Sequence, residues 1–207
     1  MERKQMRLYL IRHGQTDWNR QKRYCGQTDL PMNETGRKQA KNLRERFKNV
    51  AIDYLYCSDL KRAKETAEIA FPDWRTKIIV SPHIRELDFG EWEGRKYEEI
   101  LAKDEKAYRA WLDNPALSTP PRGESLSSLE HRVKAFLQSL VDKFKDETVA
   151  VVTHSGPIRV TLCDALGIPL NFFWRIAANS AGVSIIEYSN GTPFVSLVND
   201  TGHLQHD

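Results

Sequence analysis

Leu8-Tyr9-Leu10-Ile11-Arg12-His13-Gly14-Gln15-Thr16 decides how the chain is read. Its apolar, β-rich half predicts a buried strand over residues 6–11, which stops where Arg12-His13-Gly14 opens a loop. Gly14 lets the backbone turn or approach a ligand closely. An imidazole and a guanidinium are thereby delivered to the rim of a sheet, where open α/β proteins place their ligands. Taken alone, the triplet fits a histidine that merely ends a strand, so the rest of the chain has to decide.

Working outward, a second run has the same form. Val149-Ala150-Val151-Val152, within a strand at 148–153, ends at His154-Ser155-Gly156. A helix over 157–166 follows, opened by Pro157 and stopped by Gly167 and Pro169. Further strands are expected at 52–57, 77–80, 183–188 and 194–197, the last two joined by the turn Ser189-Asn190-Gly191. Helices are expected at 35–47, from a Ser58 or Asp59 cap to residue 70, as one or two pieces over 97–111, and at 125–145. Residues 17–31 form a long polar loop with Asn19, Gly26 and Gln27, and loops of that length are usually functional. Pro115, Pro120 and Pro121 make 114–123 a lid or a surface excursion. Alternating strands and helices predict a three-layer α/β sandwich whose central sheet is mostly parallel with one antiparallel edge strand.

The 207 residues, 40% of them hydrophobic, suit one domain with a sizeable core. A net charge of +3 argues against a dedicated nucleic-acid binder. No run approaches the ~20 apolar residues of a membrane span, and no signal peptide is expected. Cys25, Cys57 and Cys163 are sparse and odd in number, which suggests free thiols and a cytoplasmic location.

Both histidine-bearing strand ends should meet at one rim, joined by the start of the helix that carries Arg62. A cation in a first helical turn gains nothing from the helix dipole; an arriving anion would remove the conflict, although a plain surface arginine explains Arg62 equally. Two imidazoles, two guanidiniums, the Asn19 amide and a helix N-terminus around one point suit a phosphate. Two arginines beside two histidines disfavour a metal ion, so no metal and no cofactor is expected.

Arg12-His13-Gly14, Asn19, Gly26, the segment Cys57-Ser58-Asp59-Leu60-Lys61-Arg62-Ala63, Glu86 and His154-Ser155-Gly156 together resemble the histidine phosphatase superfamily, the phosphoglycerate mutase-like group, from about residue 6 to 199. The resemblance implies that His13 accepts the phosphoryl group, that Arg12, Arg62 and His154 hold its oxygens, and that Glu86 passes a proton to the leaving oxygen and takes one from water. It implies substrate contacts from Asn19, Gly26, Gln27, Ser155 and Gly156. Asp88, Glu91 and Glu93 lie close to Glu86, so without the resemblance a solvated acidic loop is the plainer reading. Cys25 departs from the Ser, Thr or Gln that many relatives carry before the glycine.

The short excursion between Glu86 and His154 resembles the phosphatases rather than the mutases. Phe89-Gly90-Glu91-Trp92-Glu93-Gly94, the stretch from Trp111 through Pro120-Pro121-Arg122-Gly123-Glu124-Ser125, and Asn199-Asp200-Thr201-Gly202-His203-Leu204 are similar to the α-ribazole phosphatase branch. That implies an α-ribazole 5′-phosphate phosphatase of cobalamin assembly; a broad-specificity phosphatase and a phosphoglycerate mutase are the alternatives. Trp18, Tyr24, Trp92 and Trp111 are candidates either for stacking on a base or for the core. The chain is expected to be one such domain over 1–207, with loose termini at 1–5 and 201–207 and an excursion at 82–123 over the active site. Its expected partner is a small phosphorylated substrate, with no nucleic acid or membrane, and it is expected to be a monomer or homodimer.

Overall fold

In the computed structural model, residues 5–204 are described. A six-stranded sheet forms the middle layer, in the order β3-β2-β4-β1-β5-β6. The strands are β1 (Gln5–Arg12), β2 (Tyr54–Cys57), β3 (Ile79–Val80), β4 (Thr148–Thr153), β5 (Val183–Ser189) and β6 (Thr192–Asp200). The first four run parallel; β5 runs against β1, and β6 returns antiparallel to it at the edge. The expected mixed α/β sandwich is therefore present, with β5 and β6 as its antiparallel pair.

Side-chain alternation divides the core. Leu8, Leu10, Val149 and Val151 face one layer, packed with Leu129, Val133 and Leu140 of α6 (Leu126–Lys143) and Ile158 and Leu162 of α7 (Ser155–Leu166). Tyr9, Ile11, Leu55 and Val152 face the other, against Leu43 and Phe47 of α2 (Glu34–Phe47) and Ala63 and Ala67 of α3 (Lys61–Ala70). Neighbouring residues on one strand thus serve opposite layers, as a pleat requires.

Several boundaries differ from expectation for local reasons. A one-turn helix, α1 (Asp17–Arg20), stands inside the 17–31 loop, closed by a reciprocal cap between Thr16 and Asn19. Neither Ser58 nor Asp59 caps α3: its N-cap is Leu60, without a side-chain bond, because the Asp59 carboxylate is taken by Arg85. The 97–111 region is two helices, α4 (Tyr97–Lys103) and α5 (Glu105–Asp113), broken at Asp104, whose side chain accepts from Ala107 N. α7 begins at Ser155, so Pro157 lies in its first turn, where no intrahelical N–H partner is lost. Of the termini expected to be loose, Gln5 pairs in β1 and Gly202–Leu204 is a 3-10 turn; residues 1–4 and 205–207 lie outside the described residues.

Register positions the site. Arg12 of β1 pairs with Thr153 of β4, so His13 and His154 leave adjacent parallel strands side by side. Among the described residues, no helix is long and apolar enough to cross a membrane.

Candidate active site

His13 is buried, with its ring centroid 5.0 Å from that of His154. Its Nδ1 lies 2.7 Å from the Gly14 carbonyl oxygen, which can only accept. The ring proton therefore sits on Nδ1, and Nε2 carries the lone pair. Burial, then Arg62 and Arg12, hold His13 well below the usual histidine range, so the imidazole is neutral. Gly14 is close-packed: a Cβ there would overlap the Gly36 carbonyl at the start of α2, and Gly14 N–H donates to Thr66 Oγ1 at 3.0 Å.

Arg62, which its segment alone leaves as a surface residue or an anion ligand, is 0% exposed. Its Nε donates to His13 Nε2 at 3.3 Å, its Nη1 to Thr28 O at 3.0 Å and its Nη2 to Gly26 O at 2.6 Å. Among the described residues no carboxylate pairs with it. Arg12 donates from Nη1 to Ala178 O at 2.6 Å, while its buried Nε has no partner. Burial lowers Arg12 to about 10, which leaves it charged at neutral pH. Both ring nitrogens of His154 are buried without a partner, and burial, then Arg62 and His13, push it well below the usual histidine range. Buried polar atoms are normally satisfied. The free polar atoms of Arg12 and His154, beside the buried Arg62 cation, form a cradle of the charge and donor set that suits an anion.

Glu86 is also buried, and three donors converge on its carboxylate. Leu87 N–H and Gly156 N–H reach Oε1 at 2.9 Å each, and the Ser155 hydroxyl reaches Oε2 at 2.8 Å. Ser155 and Gly156, expected on the substrate, thus hold Glu86 here. Gly26 and Gln27 are likewise supports. The Gly26 carbonyl receives Arg62, and the Gln27 amide donates to Glu86 O at 3.3 Å. Asn19 Oδ1 accepts from Thr16 N, and the residue lines the cavity beside Arg12.

The neighbouring acids are accounted for elsewhere. Glu93 latches Gln27 N and Thr28, Glu91 pairs with Arg122, and Asp88 caps Gly90 N. Only Glu86 of the four lines the cavity.

Two residues that the sequence reading missed shape this end of the site. Arg132 of α6 forms a two-bond pair with Glu124 and donates to the carbonyls of His83, Arg85 and Glu86. It fixes the main chain that carries Glu86. Arg159 of α7 lines a cavity of about 140 Å³ together with Arg12, Asn19, Tyr24, Cys25 and Glu86, walled by Phe89, Phe173 and Trp174. A cation one turn into the helix after Ser155 was the available signal. Of the four aromatic candidates, Trp92 and Trp111 belong to the core, Tyr24 lines the cavity, and Trp18 packs against Gly94.

The profile of the histidine phosphatase superfamily (branch 1) matches residues 8–201. The chain belongs to that superfamily. It is 34% identical over 199 residues to phosphoserine phosphatase 1 of Hydrogenobacter thermophilus, covering 96% of this chain and 94% of that protein. It is 29% identical to the adenosylcobalamin/α-ribazole phosphatase of Escherichia coli K12, covering 94% and 96%. Among solved structures, Bacillus stearothermophilus YhfR superposes with a TM-score of 0.89 at 35% identity, covering 97% of this chain and 100% of that one.

Proposed function

We propose that the protein is a phosphoric monoester hydrolase that works through a phosphohistidine at His13 and needs no metal. The observation that carries this is the His13 tautomer: Nδ1–H spent on the Gly14 carbonyl, a neutral ring, and the Nε2 lone pair facing Arg62.

The chemistry follows from the geometry. A phosphomonoester dianion takes up the free donors of Arg12, Arg62 and His154, and Arg62 Nε turns from His13 to a phosphate oxygen. Nε2 attacks phosphorus in line and the P–O bond breaks; Glu86 enters the step carrying a proton on Oε2, with the rotatable Ser155 hydroxyl turned away from donating to it, and gives that proton to the leaving alcohol. Water then gives a proton to Glu86 and attacks phosphorus, releasing phosphate and restoring His13. Fixed cations hold the charge of a loose transition state, the main task of the protein in phosphoryl transfer.

Brief incubation with a 32P-labelled phosphomonoester should leave acid-labile, base-stable label on the protein, and His13→Ala should abolish it. Label retained in that variant would overturn the reading. Substrate identity is read from a panel with α-ribazole 5′-phosphate, nucleotides, sugar phosphates and 3-phosphoglycerate. The name of the E. coli relative supports α-ribazole 5′-phosphate, whereas the cavity volume favours a smaller leaving group. Free phosphate rather than an isomer of 3-phosphoglycerate supports hydrolysis over mutase action. We read the chain as one domain, and the free thiols of Cys25, Cys57 and Cys163 support a reducing, cytoplasmic setting.

A further inference from the structure

Arg159 is a half-buried cation that faces Glu86 across the cavity but makes no ion pair with it. Its Nε donates to Ile176 O at 2.8 Å, and its guanidinium carbon stands 5.0 Å from the Trp174 ring centroid and 5.3 Å from that of Phe173. Among the described residues no carboxylate pairs with it, and neither Nη has a hydrogen-bond acceptor. Arg132, on the adjacent helix, has Glu124. Aromatic faces orient the guanidinium but do not supply the fork of oxygens that it matches.

The cavity that Arg159 lines is the one that opens beside Arg12, Asn19 and Glu86. Arg12 belongs to the phosphoryl cradle, so the room beyond it holds the leaving group. That room has two more guanidiniums on its wall: Arg23, which pairs with Glu99, and Arg159, which has no carboxylate partner among the described residues. At about 140 Å³ it is well under the ~300 Å³ at which drug-sized ligands are typically held. A leaving group of a few carbons fits it, and the group that completes Arg159 is an anion with two coplanar oxygens.

We propose that Arg159 is a specificity residue that binds the carboxylate of a short phosphorylated hydroxy acid or amino acid. The proposal rests on the phosphohistidine reading above and narrows its substrate class. A carboxylate on Arg159 and a phosphate on Arg12 would grip the two ends of the molecule and set the ester oxygen against Glu86.

The test compares matched pairs that differ only in the carboxylate: L-phosphoserine with O-phosphoethanolamine, and 3-phosphoglycerate with glycerol 3-phosphate. The wild type should favour the acid of each pair by roughly 10–100-fold in kcat/KM, mostly through KM, as expected for one charge-assisted pair. Arg159→Gln should collapse the ratio to within about threefold, and Arg159→Lys should restore part of it. A wild-type ratio near one overturns the proposal, and so does a ratio that Arg159→Gln leaves intact. If Arg159→Gln does not fold, the wild-type ratios and Arg159→Lys still decide. Arg159-dependent preference for propane-1,3-diyl bisphosphate over phosphoserine would overturn the carboxylate assignment in favour of a second phosphoryl group. Failure of the underlying reading shows separately, as absence of the phosphohistidine label.

Discussion

Gly156 donates its backbone N–H to Glu86 Oε1 at 2.9 Å, and the side chain that Gly156 lacks is what leaves room for that oxygen. Gly156→Ala would place a Cβ on Oε1 and displace the carboxylate. The expected result is a folded protein whose kcat on alkyl phosphates falls by roughly 100-fold, the low end of what a general acid contributes. p-Nitrophenyl phosphate, whose leaving group needs no proton, should lose less. Equal losses on both substrates would remove Glu86 from the proton-transfer role.

Arg132 reaches Glu86 only through the main chain. Removing its guanidinium in Arg132→Met leaves Glu124, a carboxylate with 15% side-chain exposure, without its partner. Loss of the charged hydrogen bonds of this partly buried pair costs about 1.5–3 kcal/mol, so urea unfolding should move to lower midpoint with unchanged slope. The surviving folded enzyme should show the same leaving-group dependence as Gly156→Ala. A variant that is destabilised yet loses equally on both classes of ester would make Arg132 purely structural.

His13 and His154 are kept neutral by burial first, and in both cases by arginines as well. In the unfolded chain each titrates near ~6.5. Below that pH the unfolded chain takes up protons that the native site refuses, so stability is complete above about 6.5 and is lost as pH falls. Each histidine contributes up to about 1.4 kcal/mol per pH unit to that slope. Thermal melts between pH 7.5 and 5 should show it, and His154→Gln should flatten it. An identical slope in the variant would contradict a neutral His154.

Vanadate offers oxygens that match the donors of Arg12, Arg62 and His154. A concentration 100 times its Kd should stabilise the protein by about 2.7 kcal/mol, read as a rise in Tm that Arg62→Met abolishes. A chelator should leave kcat/KM unchanged, because the positive charge at the phosphate is carried by guanidinium groups. Activity lost to EDTA and regained with a divalent ion would refute the metal-free mechanism.

The histidines were legible because their positions follow from local pattern alone. An apolar run that halts at Arg12-His13-Gly14, and another at His154-Ser155-Gly156, fix two strand ends, and parallel pairing brings them together. Side-chain direction was not legible in that way. Ser155 and Gly156 read as substrate ligands; Ser155 lines the cavity, and both also donate to Glu86, a contact set by where the 82–123 segment brings that carboxylate. Asp59 has the composition of a cap, but Arg85 claims it. Trp92 and Trp111, open between base stacking and core, are core, while Trp174 lies in a short 3-10 helix (Leu170–Arg175) whose sequence carries no amphipathic period to mark it. Arg159 was passed over because an arginine on a helix reads as solvated until the facing aromatics are known.

Arg12 and Thr153 are partners across two strands that stand far apart in the chain. A growing polypeptide therefore displays His13 almost from the start of synthesis, but the proposed phosphate cradle waits for His154 at the end of β4 and for Ala178, whose carbonyl holds Arg12. Half-made molecules carry a bare histidine and no chemistry. Catalytic competence waits on closure of the sheet around β1, with β4 on one side and β5 on the other, so hydrolytic activity doubles as a stopwatch for that long-range event of folding.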